Sequence, residues 1–182
     1  RLLRGNTAQH ELLEERLARF KGAESALLFP SGYQANLAVL TTLLKRDDFA
    51  LCDEQNHASI LDGLRLSGCQ TRTFPHRDVG SVERLLVEKP LRGRVFVVTE
   101  SLFSMDGDIA PLDRYADLAE AYGASLIVDD AHATGVYGEG RGSGLVESFG
   151  VEDRVVAVVS TCGKALGVSG AFVSGPAILR EY

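Results

Sequence analysis

Apolar residues follow two different periods along this chain, and the two periods alternate. Between residues 7 and 21, four apolar side chains recur at helical spacing, which predicts an amphipathic helix. Short runs such as RVFVVTES and SLIVDD are rich in β-branched residues and predict buried strands. Because strand and helix patterns alternate almost throughout, the sequence predicts one α/β domain with a largely parallel sheet covered by helices. The four apolar residues on one face of the first predicted helix are Leu12, Leu13, Leu17 and Phe20.

Turn residues separate the predicted elements. Pro30, Ser31 and Gly32 break the first apolar run, and glycines end two helices at Gly68 and Gly123. The glycine-rich segment GVYGEGRGSG, residues 135–144, is interpreted as flexible. The predicted strands cover residues 25–30, 49–53, 70–74, 94–101, 125–130, 154–161 and 171–175. The predicted helices cover residues 7–21, 33–45, 57–68, 81–88, 112–123 and 176–182.

Composition and charge exclude several classes of function. The 182 residues carry 19 basic and 25 acidic side chains, a formal charge of −6 without a basic cluster. This balance argues against nucleic acid or an anionic membrane as partner. No apolar run reaches the roughly 18 residues of a membrane span. Three scattered cysteines, Cys52, Cys69 and Cys162, lack metal-ligand spacing, so we expect no metal and a reducing, cytoplasmic location.

Polar and ionisable residues follow five of the predicted strands. The carboxyl ends of parallel strands share one edge of a sheet, and ligands bind there. A lysine, two histidines and a carboxylate at one edge indicate chemistry, since a purely structural domain does not need them together. The residues after the strands are Ser31, Gly32 and Tyr33; Asn56, His57 and Ser59; Ser101 and Ser104; Asp129, Asp130 and His132; and Ser160, Thr161 and Lys164.

Two nucleotide-binding motifs are incomplete. Gly163-Lys164 is like the end of a phosphate loop, but Val158 replaces the leading glycine and Ala165 the Ser or Thr. Residues 135–144 lack the glycine spacing of a dinucleotide fingerprint. The sequence therefore argues against both kinds of site.

The remaining residues are suited to pyridoxal 5′-phosphate. This cofactor requires a lysine for a Schiff base, an acid beside its pyridine nitrogen and an anchor for its phosphate. Lys164 lies on a glycine-flanked turn and Asp129 ends a buried strand. The helix start at residues 31–33 offers backbone N–H groups to a phosphate.

Five ordered segments point to one family. They are SGYQAN, DEQNHASILDG, TESLFSMDGD, IVDDAHATGVYG and STCGKALGVSGAFVSG. Together they resemble the signatures of the α-oxoamine synthases, pyridoxal-phosphate enzymes that condense an amino acid with an acyl-CoA and release carbon dioxide. The resemblance covers residues 1–182. It implies the large domain of a fold-type I transferase, a three-layer αβα structure with a mostly parallel central sheet.

The resemblance implies a role for each matching residue. Lys164 would form the Schiff base and remove the substrate's α-proton, and Asp129 would pair with the pyridinium nitrogen. His132 would bond the phenolic oxygen of the ring, and His57 would stack on the ring face and help to position the acyl group. Glu100 would support these residues without contacting the cofactor itself. The other cofactor contacts would be Gly32 and Tyr33 through backbone N–H groups, Thr161 through its hydroxyl, and Ser104 near the ring.

Plain structural roles stay open for some of these residues. Asp129 could cap its strand, and His57 could cap the helix that it precedes. Asp130 is interpreted as the acid that caps or forms an ion pair, and His76 as a loop residue near the surface.

Substrate and assembly follow only from the resemblance. Residues 129–138 and 163–175 resemble the branch that joins L-alanine to a pimeloyl thioester in biotin synthesis. Glycine C-acetyltransferase (2-amino-3-ketobutyrate CoA ligase), 5-aminolevulinate synthase and serine palmitoyltransferase remain alternatives. The family also implies a homodimer with active sites at the interface. Because the chain starts without Met and stops inside a helical pattern, we expect a piece lacking an N-terminal segment and a C-terminal small domain.

Two rival functions share part of the pattern. A non-catalytic subunit of the same fold would lack the lysine, whereas Lys164 is present. An aminotransferase or a retro-aldol lyase would share Lys164 and Asp129. Aminotransferases usually stack an aromatic residue on the ring, whereas this chain has His57. Fold-level analogy alone does not separate these chemistries.

Overall fold

A computed structural model describes residues 5–88 and 92–181 of the chain. All seven predicted strands form, and so do the predicted helices. The last predicted helix runs to residue 182, which lies outside the described residues. The predicted domain, residues 1–182, also includes residues 1–4 and 89–91, which are likewise outside them. The strands are β1 (Ser25–Phe29), β2 (Phe49–Asp53), β3 (Gln70–Phe74), β4 (Val95–Glu100), β5 (Ser125–Asp129), β6 (Val155–Thr161) and β7 (Ala171–Gly175). The helices are α1 (Ala8–Lys21), α2 (Gly32–Leu43), α3 (Ala58–Ser67), α4 (Val79–Val87), α5 (Leu112–Tyr122), α6 (Leu145–Ser148) and α7 (Ala177–Glu181), with a 3-10 turn at Glu152–Arg154.

The strands pair into one sheet in the order β1-β7-β6-β5-β4-β2-β3. Strands β6, β5, β4, β2 and β3 are parallel, whereas β7 is antiparallel to both β6 and β1. Only residues 162–170 join β6 to β7, too few for the crossover that a parallel pair requires. Since β7 runs opposite to both neighbours, β1 runs in the same direction as β6. The mostly parallel sheet predicted from the sequence is confirmed.

Helices cover both faces of the sheet, which gives three layers. One face packs against α2 and α3 through residues such as Leu40, Ile60 and Val98. The opposite face packs against α4 and α5 through residues such as Leu86 and Val97. Neighbouring residues of a strand therefore belong to different cores, as the twofold period of a strand requires. No helix in the described ranges is long and apolar enough to cross a bilayer.

Helix α1 forms where predicted, but its buried face is different. Leu12 and Leu13 are 47% and 44% exposed, so the predicted apolar face is wrong for these two residues. Glu14 and Lys21 are buried instead, together with Ala18. The Glu14 carboxylate accepts the Leu28 N–H at 3.0 Å. Charged side chains can be buried here because neighbouring groups satisfy them, which hydrophobic periodicity cannot show.

His76 is more enclosed than a surface loop residue. Its side chain is 14% exposed, and its Nδ1 lies 2.9 Å from Oδ1 of the fully buried Asp53. The ring meets Phe103 edge-on, with 4.4 Å between the ring centroids. The interpretation of His76 as a loop residue is confirmed, and the buried end of β2 supplies its partly buried ring with a partner.

Candidate functional site

A hollow of about 180 Å³ lies at the carboxyl edge of the sheet. The ends of β4, β5 and β6 and the starts of α2 and α3 form its wall. The structure brings together every residue predicted for the site except Ser104. The lining residues are Gly32, Tyr33, Asn36, His57, Ser59, Glu100, Asp129, Ala131, His132, Thr161 and Lys164.

Ser104 lies in the loop between β4 and α5 and is exposed. It lines a neighbouring hollow with Gln55, Phe103, Met105 and Asp106. Its contact with the cofactor ring stays a prediction from the resemblance, because the structure does not place Ser104 in the lining of the first hollow.

Asp129 is held in a fixed orientation at the end of β5. It is 8% exposed, and its Oδ2 accepts a hydrogen bond from Asn36 Nδ2 at 2.6 Å. Its Oδ1 accepts the Ala131 N–H at 3.0 Å. Asn36 had no visible role in the sequence. The available signal was a polar residue one turn after Gly32, on the side of α2 that carries the buried residues Val39, Leu40 and Leu43.

The adjacent Asp130 faces away from the hollow. Its Oδ2 forms an ion pair with Lys21 Nζ at 2.7 Å, and both side chains are almost fully buried. Its Oδ1 accepts hydrogen bonds from Ser101 Oγ at 2.6 Å and from the Leu145 N–H at 3.2 Å. The interpretation of Asp130 as the acid that forms an ion pair is confirmed.

His57 precedes helix α3 and caps it. Its Nδ1 accepts the Ser59 N–H at 3.2 Å and lies 2.7 Å from Ser59 Oγ. The capping role left open by the sequence is therefore present. The His57 backbone N–H donates to Glu100 Oε1 at 2.6 Å, so both the main chain and the ring of His57 are fixed.

Glu100 is a second carboxyl group in the lining. It is 4% exposed, and its backbone N–H donates to Asn56 Oδ1 at 3.0 Å. Burial, followed by the nearby charge of Asp129, raises the pKa of Glu100 to about 7. Near neutral pH, this side chain holds a proton for part of the time.

Two basic groups of the lining, Lys164 and His132, have lowered pKa values. Desolvation lowers the pKa of Lys164, although the charges of Asp129 and Glu100 work in the opposite direction. Desolvation, followed by the positive charge of Lys164, lowers the pKa of His132. Both shifts favour neutral, proton-accepting nitrogens in the hollow.

The first turn of α2 borders the hollow and is suited to hold an anion. Ser31 Oγ caps helix α2 by accepting the Gln34 N–H at 3.3 Å. The N–H groups of Gly32 and Tyr33 lie in the first turn, where the helix supplies no acceptor. Thr161 is adjacent, since a Cβ on Gly32 would lie 3.8 Å from Thr161 Oγ1. This combination of N–H groups and a hydroxyl is suited to phosphate.

The comparison with known proteins decides the family. Residues 1–182 match the sequence profile of aminotransferase class I and II. The chain belongs to this family. The resemblance seen in the five motifs is consistent with it, because relatives about half identical to this chain are named 8-amino-7-oxononanoate synthase, an α-oxoamine synthase.

Two curated relatives show the degree of similarity within the family. The 8-amino-7-oxononanoate synthase of Citrifermentans bemidjiense is 50% identical over 183 residues, which covers all of this chain and 46% of the relative. The enzyme of that name from Geobacter sulfurreducens is 49% identical over 181 residues, with the same coverage. The chain thus spans about half the length of the curated relatives it matches.

Solved structures of the family have the same fold. Serine palmitoyltransferase from Sphingomonas wittichii superposes with a TM-score of 0.93 and 37% identity over 100% of this chain and 46% of that chain. 8-amino-7-oxononanoate synthase from Francisella tularensis gives a TM-score of 0.82 and 32% identity over 97% of this chain and 50% of that one. The fold-type I architecture predicted from the sequence is confirmed.

Proposed function

We propose that this chain forms the cofactor-binding part of a pyridoxal-phosphate enzyme that condenses an amino acid with an acyl-CoA and releases carbon dioxide. The observation that carries the proposal is the placement of Lys164, Asp129, His57 and His132 around one hollow at the edge of the sheet. The names of the relatives favour L-alanine and a pimeloyl thioester as substrates and 8-amino-7-oxononanoate as product, for biotin synthesis.

The residues present fit pyridoxal 5′-phosphate. Lys164 supplies an amine of lowered pKa for a Schiff base. Asp129 supplies a buried, oriented carboxylate for the ring nitrogen. The first turn of α2 and Thr161 supply the phosphate anchor. When bound, the cofactor supplies a protonated ring that accepts the electrons of a carbanion.

The side chains of this chain would bind, orient and move protons. A lowered pKa lets the amine of Lys164 take the α-proton of the amino acid and return a proton after carbon dioxide leaves. Asp129 would present its carboxylate to the ring nitrogen, in the orientation that the bonds from Asn36 and the Ala131 N–H fix. His57 would cover the ring face, and His132 would bond the phenolic oxygen.

Assembly and location complete the proposal. The protein would act as a homodimer with active sites at the interface, and amino acid and acyl-CoA would be its small-molecule partners. The three cysteines are free, which is consistent with the reducing conditions of the cytoplasm.

Serine palmitoyltransferase chemistry is the second candidate. The observation in its favour is the TM-score of 0.93 to the Sphingomonas wittichii enzyme. The sequence identity of 37% is lower than the 50% to the Citrifermentans bemidjiense relative, so the L-alanine reaction is preferred.

Release of CoA tests the proposed reaction. The protein as the cell makes it, loaded with pyridoxal 5′-phosphate, would be given pimeloyl-CoA with L-alanine, glycine or L-serine. We expect release with L-alanine and at least a thousandfold loss in Lys164→Ala, as removal of a reacting group predicts. Release only with glycine, with serine or with another acyl-CoA would assign a sibling reaction. No release with any pair would overturn the proposal in favour of an aminotransferase or a lyase.

A further inference from the structure

Two residues without an assigned role connect Asp129 to His57 in the lining of the hollow. Asn36 and Ser59 are 4% and 1% exposed. Besides its bond to Asp129, Asn36 Nδ2 donates to Ser59 Oγ at 2.9 Å. Ser59 Oγ is the group that lies 2.7 Å from His57 Nδ1. One continuous chain of hydrogen bonds therefore runs from the Asp129 carboxylate to the His57 ring.

The number of hydrogens fixes the direction of this chain. The Asn36 amide has two hydrogens, one for the Asp129 carboxylate, which only accepts, and one for Ser59 Oγ. The single hydroxyl hydrogen of Ser59 is then available to His57 Nδ1, which also accepts the Ser59 backbone N–H. Because Nδ1 accepts both bonds, the hydrogen of the neutral ring lies on Nε2.

The packing of α2 against α3 holds Asn36 close to Ser59. Gly63 of α3 faces α2, where an added Cβ would lie 2.8 Å from Leu40 Cδ1 and 3.3 Å from the Asn36 carbonyl oxygen. A glycine at this position lets the two helices approach closely. The main chain of Asn36 is therefore fixed relative to the helix that carries Ser59.

We propose that Asn36 and Ser59 are positioning residues of this site. Asn36 orients the Asp129 carboxylate, and Ser59 selects the His57 tautomer with its hydrogen on Nε2. The inference rests on the proposed function and deepens it, since Asp129 would meet the ring nitrogen of the cofactor and His57 its ring face. The side-chain amide of Asn36 couples the orientation of Asp129 to that of His57 through Ser59.

Nitrogen-15 NMR of the protein as the cell makes it, free of cofactor, reads the tautomer directly. We expect the wild-type His57 ring to carry its hydrogen on Nε2. Ser59→Ala removes the hydroxyl and keeps the backbone N–H on Nδ1, so the ratio of the Nε2 to the Nδ1 tautomer is expected to fall about fivefold, the effect of one neutral hydrogen bond. The Kd for pyridoxal 5′-phosphate is expected to rise about fivefold, the effect of one neutral hydrogen bond. Ser59→Thr keeps a hydroxyl and is expected to restore both the His57 tautomer and the Kd for pyridoxal 5′-phosphate to their wild-type values.

Asn36→Ala tests the other half of the proposal. It removes a hydrogen bond to a charged group, so the Kd for pyridoxal 5′-phosphate is expected to rise about tenfold or more. Ser67→Ala is the matched control on α3, because the Ser67 hydroxyl bonds the Leu64 carbonyl outside this chain of bonds. It should leave tautomer and Kd unchanged.

An unchanged ratio of the two His57 tautomers in a folded Ser59→Ala protein, or an unchanged Kd in Asn36→Ala, would overturn the proposal. If Ser59→Ala does not fold, the His57 tautomer is measured in Ser59→Cys instead. The same change is expected there, since a thiol is a weak hydrogen-bond donor. Failure of the proposed function would be a different result. The tautomer would respond to Ser59→Ala as expected, while the wild-type protein failed to bind pyridoxal 5′-phosphate.

Discussion

Two adjacent acids of this protein, Asp129 and Asp130, face different partners on different sides. Asp129 ends β5 facing the hollow and Asn36, whereas Asp130 faces Lys21 on the other side. Successive side chains at a strand end point in opposite directions, so a step of one residue changes the environment completely. One carboxylate is available to a ligand, and the protein itself neutralises the other.

Glu100→Gln is expected to change how stability depends on pH. The folded pKa of about 7 lies above the ordinary value of 4.5, so the contribution of Glu100 to stability is largest below pH 4.5 and is lost as pH rises through 7. The glutamine keeps an oxygen for the His57 N–H but cannot ionise. Its stability relative to wild type should therefore rise by about 2 kcal/mol between pH 5 and pH 8.

Urea unfolding of the cofactor-free protein at both pH values measures this difference. Glu15→Gln is the matched control, because Glu15 is 71% exposed. A pH-independent difference for Glu100→Gln would show that Glu100 is ionised throughout.

Residue identities predicted part of the site. Lys164, Asp129 and the two histidines follow strands and carry chemistry that a sequence displays. Asn36 was not predicted, because an asparagine inside a helical pattern gives no sign that it faces a carboxylate 93 residues away. Ser104 shows the reverse limitation, since its motif matches the family but the position of its loop depends on tertiary packing.

Elements were more predictable than the faces they bury. Strands β2, β4 and β5 were visible because buried parallel strands form continuous apolar runs, whereas β3 (QTRTF) is mostly exposed and has no such run. Helix α1 was visible as a helix, but Leu12 and Leu13 are exposed while Glu14 and Lys21 are buried. The period indicates that a helix exists, whereas distant partners decide which charged residues become buried.

Gly63→Ala is expected to weaken the contact between α2 and α3. Helix propensity alone favours alanine by about 1 kcal/mol. The added methyl would collide with buried Leu40 and crowd the Asn36 carbonyl oxygen, so we expect a net loss of about 1–2 kcal/mol by urea unfolding. Gly80→Ala is the control on α4, where the Cβ would meet only Asp78 Oδ1 at 3.4 Å and stability should rise. Equal gains in both variants would contradict the close approach.

The glycine-rich segment interpreted as flexible is held by Glu147 of α6. The carboxylate accepts the N–H groups of Gly140, Arg141 and Ser143 at 2.9, 2.6 and 2.8 Å. Burial works to raise the pKa of Glu147, but the bonds from Ser143 and Arg141 outweigh it and lower the pKa to about 2. This stabilisation is present above the ordinary glutamate pKa of 4.5 and is lost as pH falls through 2.

Glu147→Gln is expected to loosen this segment. The amide group replaces one accepting oxygen with a donor, so the N–H groups of residues 140–143 should exchange with deuterium roughly tenfold faster at neutral pH. Hydrogen exchange followed by mass spectrometry or NMR measures the rates. Glu139→Gln, in the same segment and exposed, should leave them unchanged.

At the scale of the whole molecule, one ion pair joins distant parts of the chain. Lys21 ends α1, and its Nζ contacts Asp130 Oδ2 and the Ser143 carbonyl oxygen at 2.7 and 2.6 Å. Lys21→Met would leave the Asp130 charge buried without its cation, so we expect a loss of about 3–5 kcal/mol in urea unfolding. Addition of Asp130→Asn should recover part of this loss. Arg19→Met, at a side chain that is 72% exposed, should change stability by less than about 1 kcal/mol.

The position of β1 in the sheet has a consequence for synthesis on the ribosome. Its described partner is β7, and Ser25 pairs with Gly175, 150 residues later. At about 5–20 residues per second, β1 waits roughly 8–30 s for that partner. The segment SALLF is an unpaired apolar edge during this interval, open to strands of other nascent chains. The speed of translation therefore sets the time in which the unfinished protein is most prone to aggregate.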